Sequence, residues 1–261
     1  IDLSRKLKKP LYKERFGPLK QDLALLGRKA YEAGVPVIVV FEGWDTSGKG
    51  SAIRRLVHEL DPRGFKVHMT LPPTEDERHY PFLWRFWQRL PPKGGIAFFD
   101  RSWYSRVLGE RLHGDLSRVQ WQDAYQEINQ FERQLVDEGY VLVKLFLHIS
   151  RKELKKRFKQ VRKSAQDWRI TDESRLQHER YDEYLALCDE MLERTSTTDA
   201  PWTIVEAQDR RFRRVKIFQT MVNALARGVE RKLADDARPD DTPLPGAPAL
   251  RGLPNALDQA D

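Results

Sequence analysis

A glycine-flanked turn at residues 43–51 has the residue types that bind phosphate. Gly43, Gly48 and Lys49 follow the G-x-x-x-x-G-K spacing, in which glycines let backbone N–H groups face a phosphate and the lysine reaches the terminal oxygens. An apolar, β-branched run precedes the turn and a helix-compatible stretch follows it, as this motif requires. The sequence therefore predicts a phosphate-binding loop, with an ordinary strand-to-helix turn as the alternative. Besides Lys49, the expected phosphate contacts are Gly43, Thr46, Ser47, Gly48, Gly50 and Ser51.

The loop departs from the common pattern directly after Lys49. A serine or threonine at that position normally ligates magnesium through its hydroxyl, but this chain has Gly50 there and Ser51 one residue later. We expect Asp45 to supply a metal ligand instead, because a carboxylate beside phosphates is favourable only with a cation between them. The alternative is that Asp45 stabilises the turn through its own backbone.

A second acid, Asp100, ends the short apolar run that begins at Gly95, and Arg101 follows it. Because the carboxyl ends of parallel strands meet at one edge of a sheet, Asp100 would hold a metal ion together with Asp45. Arg101 would contact the same phosphates. Alternatively, Asp100 caps the next segment or pairs with Arg101. The catalytic prediction is Asp45, Lys49, Asp100 and Arg101, with Asp45 and Asp100 as the metal ligands.

The segment 151–163 contains eight basic residues and one acid, Glu153. Leu154, Phe158 and Val161 recur at helical spacing, so one stripe of this helix is expected to pack while the rest stays cationic. Such a run is usually a solvated face. After a strand in a phosphate-loop fold it also matches the lid of nucleotide kinases. Its charge exceeds what one triphosphate needs, which favours a longer polyanion.

Hydrophobic patterning along the chain predicts strands that alternate with helices. Several strands are continuous apolar runs, which are typical of a parallel sheet covered on both faces. We therefore predict an α/β protein with a three-layer P-loop kinase fold, a mainly parallel sheet flanked by helices, and a helical basic lid. The predicted strands are 36–42, 65–71, 95–100, 140–149 and 202–206, and the predicted helices include 16–33, 117–138, 173–194 and 209–233.

Composition bounds the class of protein. The chain has 261 residues, 40% of them hydrophobic, and a net charge of +7, which favours one decorated domain and an anionic partner. One cysteine, Cys188, allows no intramolecular disulfide and favours a reducing compartment. The sequence shows no membrane-spanning run and no apolar signal segment, so we expect a cytoplasmic protein with no membrane partner.

The chain divides by composition into three parts. Residues 1–35 are predicted as an N-terminal helical extension, and 36–233 as a P-loop phosphotransferase domain with its lid at about 151–172. Residues 234–261 are rich in proline and aspartate and are predicted to be disordered. The aromatic segment 80–87 could stack a base, pack in the core or form a subunit interface, and we expect a homo-oligomer.

Several motifs occur together and in a fixed order: FEGWDTSGKG, LDPRGFKV, FLWRFWQRLP, FDRSWYSRVLGER, and FLHIS leading into KKRF and DWR. Their combination, from about Pro36 to Trp202, resembles the polyphosphate kinase 2 family. The tryptophan after the first loop glycine and the FLWRFW segment are most similar to the AMP-phosphorylating members.

This resemblance implies phosphoryl transfer between inorganic polyphosphate and a nucleoside mono- or diphosphate, AMP to ADP or ADP to ATP, with adenine or guanine nucleotides as partners. It implies Mg²⁺ as the metal, with Mn²⁺ as a substitute. By position, Asp45 and Asp100 would hold metal, and Lys49 and Arg101 would contact phosphates. Arg157 and Arg169 fall where the family places basic lid residues, and Trp168 matches its lid tryptophan.

Two other functions fit parts of the sequence. A nucleoside monophosphate kinase of thymidylate-kinase type, with ATP as donor, also has an FEG-x-D-x-x-GK loop and a later Asp-Arg pair. Gly50, the long basic lid and the DRSWY motif argue against it. A basic nucleic-acid-binding module fits the charge, but no recognised binding motif is present, so nucleic acid is an unlikely partner.

Overall fold

The structure is a computed structural model that describes residues 1–164 and 170–237. The predicted lid residue Arg169 and its neighbour Trp168 lie outside the described residues. Most of the predicted tail, residues 238–261, also lies outside them.

The described residues form one five-stranded sheet in the order β2-β3-β1-β4-β5, and every pairing in it is parallel. All seven residues of β1 are buried, because helices cover both faces of the central strand. This confirms the predicted α/β class and the parallel sheet. The strands are β1 (Val37–Gly43), β2 (Phe65–Met69), β3 (Ile96–Asp100), β4 (Val141–His148) and β5 (Trp202–Glu206).

Nine α-helices connect and cover these strands within the described ranges. Short 3₁₀ turns at Asp76–His79 and Trp103–Arg106 add to them. The helices are α1 (Lys9–Glu32), α2 (Lys49–Val57), α3 (Trp84–Trp87), α4 (Gly109–His113), α5 (Arg118–Asp137), α6 (Arg151–Arg162), α7 (Asp172–Glu179), α8 (Tyr181–Thr195) and α9 (Arg210–Asp236).

The first and last helices pack on each other, with the rings of Phe16 and Phe218 4.6 Å apart and edge to face. The first helix begins at Lys9, earlier than the predicted 16, and Pro10 lies in its first turn, where proline is tolerated because the N–H has no helical partner. The last helix extends to Asp236, beyond the predicted 233, so it includes the first residues assigned to the tail.

The single helix predicted at 173–194 is wrong, because two helices, α7 and α8, occupy this range. They are separated by Arg180, which has non-helical backbone angles of φ −105° and ψ 43°. The Arg180 guanidinium donates to the Leu112 carbonyl at 2.7 Å and to the Glu183 carboxylate. These tertiary contacts favour a bend that helical periodicity alone does not show.

Within residues 1–164 and 170–237, none of the helices has both the length and the apolar character needed to cross a bilayer.

Candidate functional site

The predicted phosphate loop connects β1 to α2 at the carboxyl edge of the sheet. Gly43 and Gly48 have φ angles of 111° and 105°, and Thr46 also has a positive φ, 56°. A Cβ on Gly43 would lie 2.3 Å from the Leu147 carbonyl oxygen, so only glycine fits there. Left-handed non-glycine residues such as Thr46 cost energy and concentrate at functional sites.

The predicted phosphate-binding lysine, Lys49, points back into this loop. Its Nζ donates to the Gly43 and Trp44 carbonyl oxygens at 2.9 and 3.1 Å, and the side chain is buried. An ammonium group has three N–H donors. Two of them therefore hold the loop closed, and one remains for a ligand.

The loop hydroxyl groups divide into two kinds. The side-chain oxygens of Thr46 and Ser47 are buried and have no hydrogen-bond partner within the described part of the chain. Ser51 differs, because its Oγ donates to the Gly48 carbonyl at 2.9 Å and accepts from Arg213 at 3.2 Å. The structure therefore leaves Thr46 and Ser47 with unmet hydrogen-bonding capacity, whereas the Ser51 hydroxyl is engaged behind the loop.

Asp100 ends β3 next to residue 50 of the loop. Its Oδ2 lies 3.5 Å from the point where a Cβ on Gly50 would be. Across residues 1–164 and 170–237, no group donates a hydrogen bond to its carboxylate. An acidic oxygen therefore lies beside position 50, which is glycine here and carries the metal-binding hydroxyl in the common motif.

Asp45, the other predicted metal ligand, is held by α7. Its carboxylate accepts a hydrogen bond from the Ser174 hydroxyl, and its backbone N–H donates to Gln177 Oε1 at 2.8 Å. Among the described residues, no group of three or more histidine, cysteine or acidic side chains could by itself hold a metal ion. A metal here would have to take most of its ligands from phosphates and water, which is the habit of Mg²⁺.

Arg101 lies at the same edge with a strained backbone, φ 62°. Its guanidinium forms an ion pair with Glu173 on α7. Burial alone would lower the pKa of Arg101, but the nearby carboxylates of Glu173 and then Asp45 outweigh burial and raise it. Glu173 was not predicted from the sequence, because nothing local distinguishes it from the other acids of a polar helix.

Glu42, directly before Gly43, is a further acid that sequence reasoning missed. It is buried and accepts a hydrogen bond from the Ser102 hydroxyl at 2.8 Å. Burial raises the pKa of this carboxyl to about 7, although Ser102, Lys49 and Arg101 act in the opposite direction. An acid at the end of an otherwise apolar run was the available signal.

The predicted lid residue Arg157, on α6, binds the carbonyl side of the loop. Its Nη1 donates to the Thr46 and Ser47 carbonyl oxygens at 3.0 and 3.1 Å, and its Nη2 donates to two carbonyls at the end of β5. Its Nε donates to Glu153 at 2.7 Å. In this structure every nitrogen of the Arg157 guanidinium therefore has a protein acceptor.

The rest of α6 has the predicted amphipathic character. Leu154 and Phe158 are buried, while the lysines on the other faces are exposed. The helix that contacts the loop through Arg157 therefore also presents cations to solvent. These exposed residues are Lys152, Lys155, Lys156 and Lys159.

Two aromatic features noted in the sequence have packing roles. Trp44 stacks on Tyr181 at 4.1 Å between ring centroids and donates to His148 Nδ1 at 3.0 Å, so it fixes the loop to α8. In the segment 80–87, Phe86 is buried, whereas Tyr80 and Trp87 remain 49% and 44% exposed. Part of this segment is therefore core, and part is available for contacts.

The chain is similar to proteins of one known family. Residues 6–232 match the family model described as polyphosphate kinase 2 (PPK2). A Pseudomonas aeruginosa protein named polyphosphate:AMP phosphotransferase is 42% identical over 226 residues, which are 86% of this chain and 46% of the relative. The chain thus spans about half the length of this relative.

Solved structures agree with the fold. A crystal structure of a Pseudomonas aeruginosa protein assigned to polyphosphate kinase 2 matches with a TM-score of 0.84 and 41% identity, over 88% of this chain and 50% of that one. Polyphosphate kinase 2 from Arthrobacter aurescens TC1 matches with a TM-score of 0.82 and 27% identity, over 91% of this chain and 92% of that one.

Proposed function

Because the chain belongs to the polyphosphate kinase 2 family, we propose that it transfers a phosphoryl group between inorganic polyphosphate and a nucleotide. The 42% identical relative is named for AMP. AMP is therefore the first acceptor that we expect, with ADP and the guanine nucleotides next.

Tyr80 and Trp87, both partly exposed, support self-association as a homo-oligomer. The buried, unpaired Cys188 supports a cytoplasmic location.

The observation that carries the proposal is a set of polar groups around one loop that lack hydrogen-bond partners among the described residues. Two buried hydroxyls, of Thr46 and Ser47, have no partner within the described ranges, and Lys49 keeps one N–H free of loop carbonyls. Buried polar groups without partners are rare in proteins and call for a ligand or water. A phosphate chain supplies acceptor oxygens for all of these donors.

Binding and alignment are the work of the chain's own residues. Lys49, the loop amides and Arg101 would hold the phosphates, and Arg101 would exchange its ion pair with Glu173 for phosphate oxygens. An oxygen of the acceptor phosphate then attacks the terminal phosphorus of polyphosphate. The bond from that phosphorus to its bridging oxygen breaks, and the shortened chain leaves with the electron pair. Catalysis of this step comes mostly from alignment and neutralisation of charge.

The donor set also fits Mg²⁺, or Mn²⁺ in its place. Asp100 offers a carboxylate that accepts no hydrogen bond from the described residues and lies beside Gly50, and the second Asp45 oxygen would join it. Both are hard oxygen ligands of the kind that Mg²⁺ prefers. When bound, the metal supplies positive charge to the phosphate oxygens and orients them.

Phosphorus NMR with polyphosphate, magnesium and each of AMP, ADP, GMP and GDP tests the proposal. We expect a new nucleotide phosphate with at least one of them, AMP first, and none with a Lys49→Met control. ATP as the sole donor tests the thymidylate-kinase type. Transfer from ATP with none from polyphosphate would reject the proposal in favour of that type.

A further inference from the structure

A phosphate loop has two sides, and the far side of this one is held by arginines. When the loop N–H groups face a phosphate, the carbonyl groups point the other way and need donors of their own. The Ser47 carbonyl oxygen accepts from Arg157 at 3.1 Å and from Arg213 of α9 at 2.6 Å. Arg213 also donates to the Ser51 hydroxyl at 3.2 Å. The last helix of the chain therefore contacts the loop directly.

Arg213 fits the loop closely. A Cβ on Gly48 would lie 2.3 Å from Arg213 Nη1, so the guanidinium fills the space that any larger residue at position 48 would need. The side chain is 4% exposed. The loop and the Arg213 guanidinium are therefore packed directly against each other, and a shift in either must move the other.

The Arg213 guanidinium has no directly paired carboxylate among the described residues. Within the described part of the chain, no carboxylate lies within 4.0 Å of its guanidinium, and its buried Nε has no hydrogen-bond partner. Burial lowers the pKa of Arg213 to about 10, and the neighbouring cations Arg157, Arg214 and Arg210 add to that effect, while Asp209 acts in the opposite direction. A buried charge without a paired counter-ion costs stability.

We propose that Arg213 is a positioning residue of the phosphate loop. It holds the Ser47 carbonyl and the Ser51 hydroxyl behind the loop so that the amides face the phosphate, and the bound polyanion supplies the charge that balances it. The identity of that polyanion rests on the proposed function, whereas the holding of the loop does not. Such a residue contributes more to ligand binding than to the stability of the free protein.

The test replaces Arg213 with methionine, which keeps the length and removes both the charge and the donors. The matched control is Arg231→Met on the same helix, because Arg231 also donates to a backbone carbonyl, that of Gly139 at 3.2 Å. It lies roughly 27 Å farther along α9. Three measurements are made for each protein: calorimetry for tripolyphosphate affinity, steady-state kinetics for the KM and kcat of transfer, and thermal unfolding for the Tm without ligand.

For Arg213→Met we expect tripolyphosphate affinity to fall and the KM for polyphosphate to rise, each about tenfold, because charge-assisted donors behind the loop are lost. We expect kcat to change less than about threefold and the Tm by less than about 3 °C, since Arg157 still serves the Ser47 carbonyl. Arg213→Lys should fall between wild type and methionine, because lysine keeps the charge and loses the fork. Arg231→Met should match wild type in all three measurements.

A lower Tm for Arg213→Met with unchanged tripolyphosphate affinity would overturn the proposal, because Arg213 would then only support the fold. Equal losses of affinity in the Arg213 and Arg231 variants would overturn it too, since the effect would then be one of general charge. If the wild type binds tripolyphosphate and transfers nothing from polyphosphate, the proposed function fails. Arg213 is then still judged by the calorimetry alone.

Discussion

Two regions of the molecule that hold buried cations differ in how the charge is balanced. Behind the centre of the sheet, Lys144 on β4 donates to the Glu132 carboxylate at 2.7 Å, the Tyr104 hydroxyl at 3.1 Å and the Thr195 carbonyl at 2.6 Å. These four residues form what we call the inner cluster. All three Lys144 donors have acceptors, and one of them is a counter-ion, so the inner cluster needs no ligand.

At the loop, by contrast, Arg213 lies next to Arg157 with no carboxylate paired to it, and loop hydroxyls lack partners, within the described ranges. Here the protein leaves positive charge and hydrogen-bonding groups unmatched. The difference teaches that a buried charge by itself does not mark a functional site. Several unmatched groups around one loop are a better indication, because unmatched groups cost stability unless a ligand completes them. The four predictions below test this difference.

Asp100→Asn should have the largest effect, because it removes an anionic oxygen that no described residue uses. We expect kcat to fall on the order of 10³-fold, in line with the loss of one electrostatic contact in a transition state. The Tm should stay within about 3 °C of wild type. The exposed Asp123→Asn is the control, and steady-state kinetics give the result. Full activity in Asp100→Asn would remove Asp100 from the site.

Lys144→Met should act on stability and not on binding. It leaves Glu132 buried without its counter-ion, which should lower the free energy of unfolding by about 3–5 kcal/mol. The double variant with Glu132→Leu should recover part of that loss. Urea unfolding measures the loss, and the KM for polyphosphate should stay the same in the folded fraction. A raised KM with unchanged stability would contradict the comparison.

Glu42→Gln should change the pH dependence of stability. The pKa of Glu42 is raised from 4.5 to about 7, so the native state keeps a proton that the unfolded chain loses above pH 4.5. Its stabilising contribution is complete below that pH and is lost as the pH rises through 7, about 3 kcal/mol in all. The wild type should therefore lose stability relative to Glu42→Gln from about pH 5 to 8.

Urea unfolding at several pH values tests the Glu42 prediction, with Glu138→Gln, an exposed acid, as the control. Parallel curves for the wild type and Glu42→Gln would show that Glu42 is already ionised at pH 5.

Glu173→Gln should have the smallest effect. Glu173 pairs with Arg101, and its negative charge competes with phosphate for that guanidinium. Removing the charge should lower the KM for polyphosphate about threefold, the size expected of one partly screened charge. Glu179→Gln makes the same change on the same helix and should leave the KM as it is. A higher KM for Glu173→Gln would show that this acid orients Arg101 for phosphate and does not compete with it.

Local sequence predicted much of the fold and the centre of the site. The five strands, the start of α2 at Lys49 and the end of β3 at Asp100 were all expected, because periodicity and the glycine spacing act over a few residues. The same reasoning failed at Arg180, where a contact with Leu112 divides a helix that has no local break. The family resemblance implied Arg157 as a phosphate contact, a role that stays a prediction, and gave no sign of its bonds to the loop carbonyls.

The sequence by itself determined which reactive groups are present: an aspartate and a lysine in the loop after β1, an aspartate and an arginine at the end of β3, and a cationic helix. Only the tertiary structure decided which of these groups have counter-ions and hydrogen-bond partners within the protein. Ser47 and Arg213 are 166 residues apart in the chain, and Asp45 and Ser174 are 129 apart. Whether a charged group or a carbonyl finds a partner depends on distances in space. Residues from distant segments of the chain come within those distances only when the core is packed.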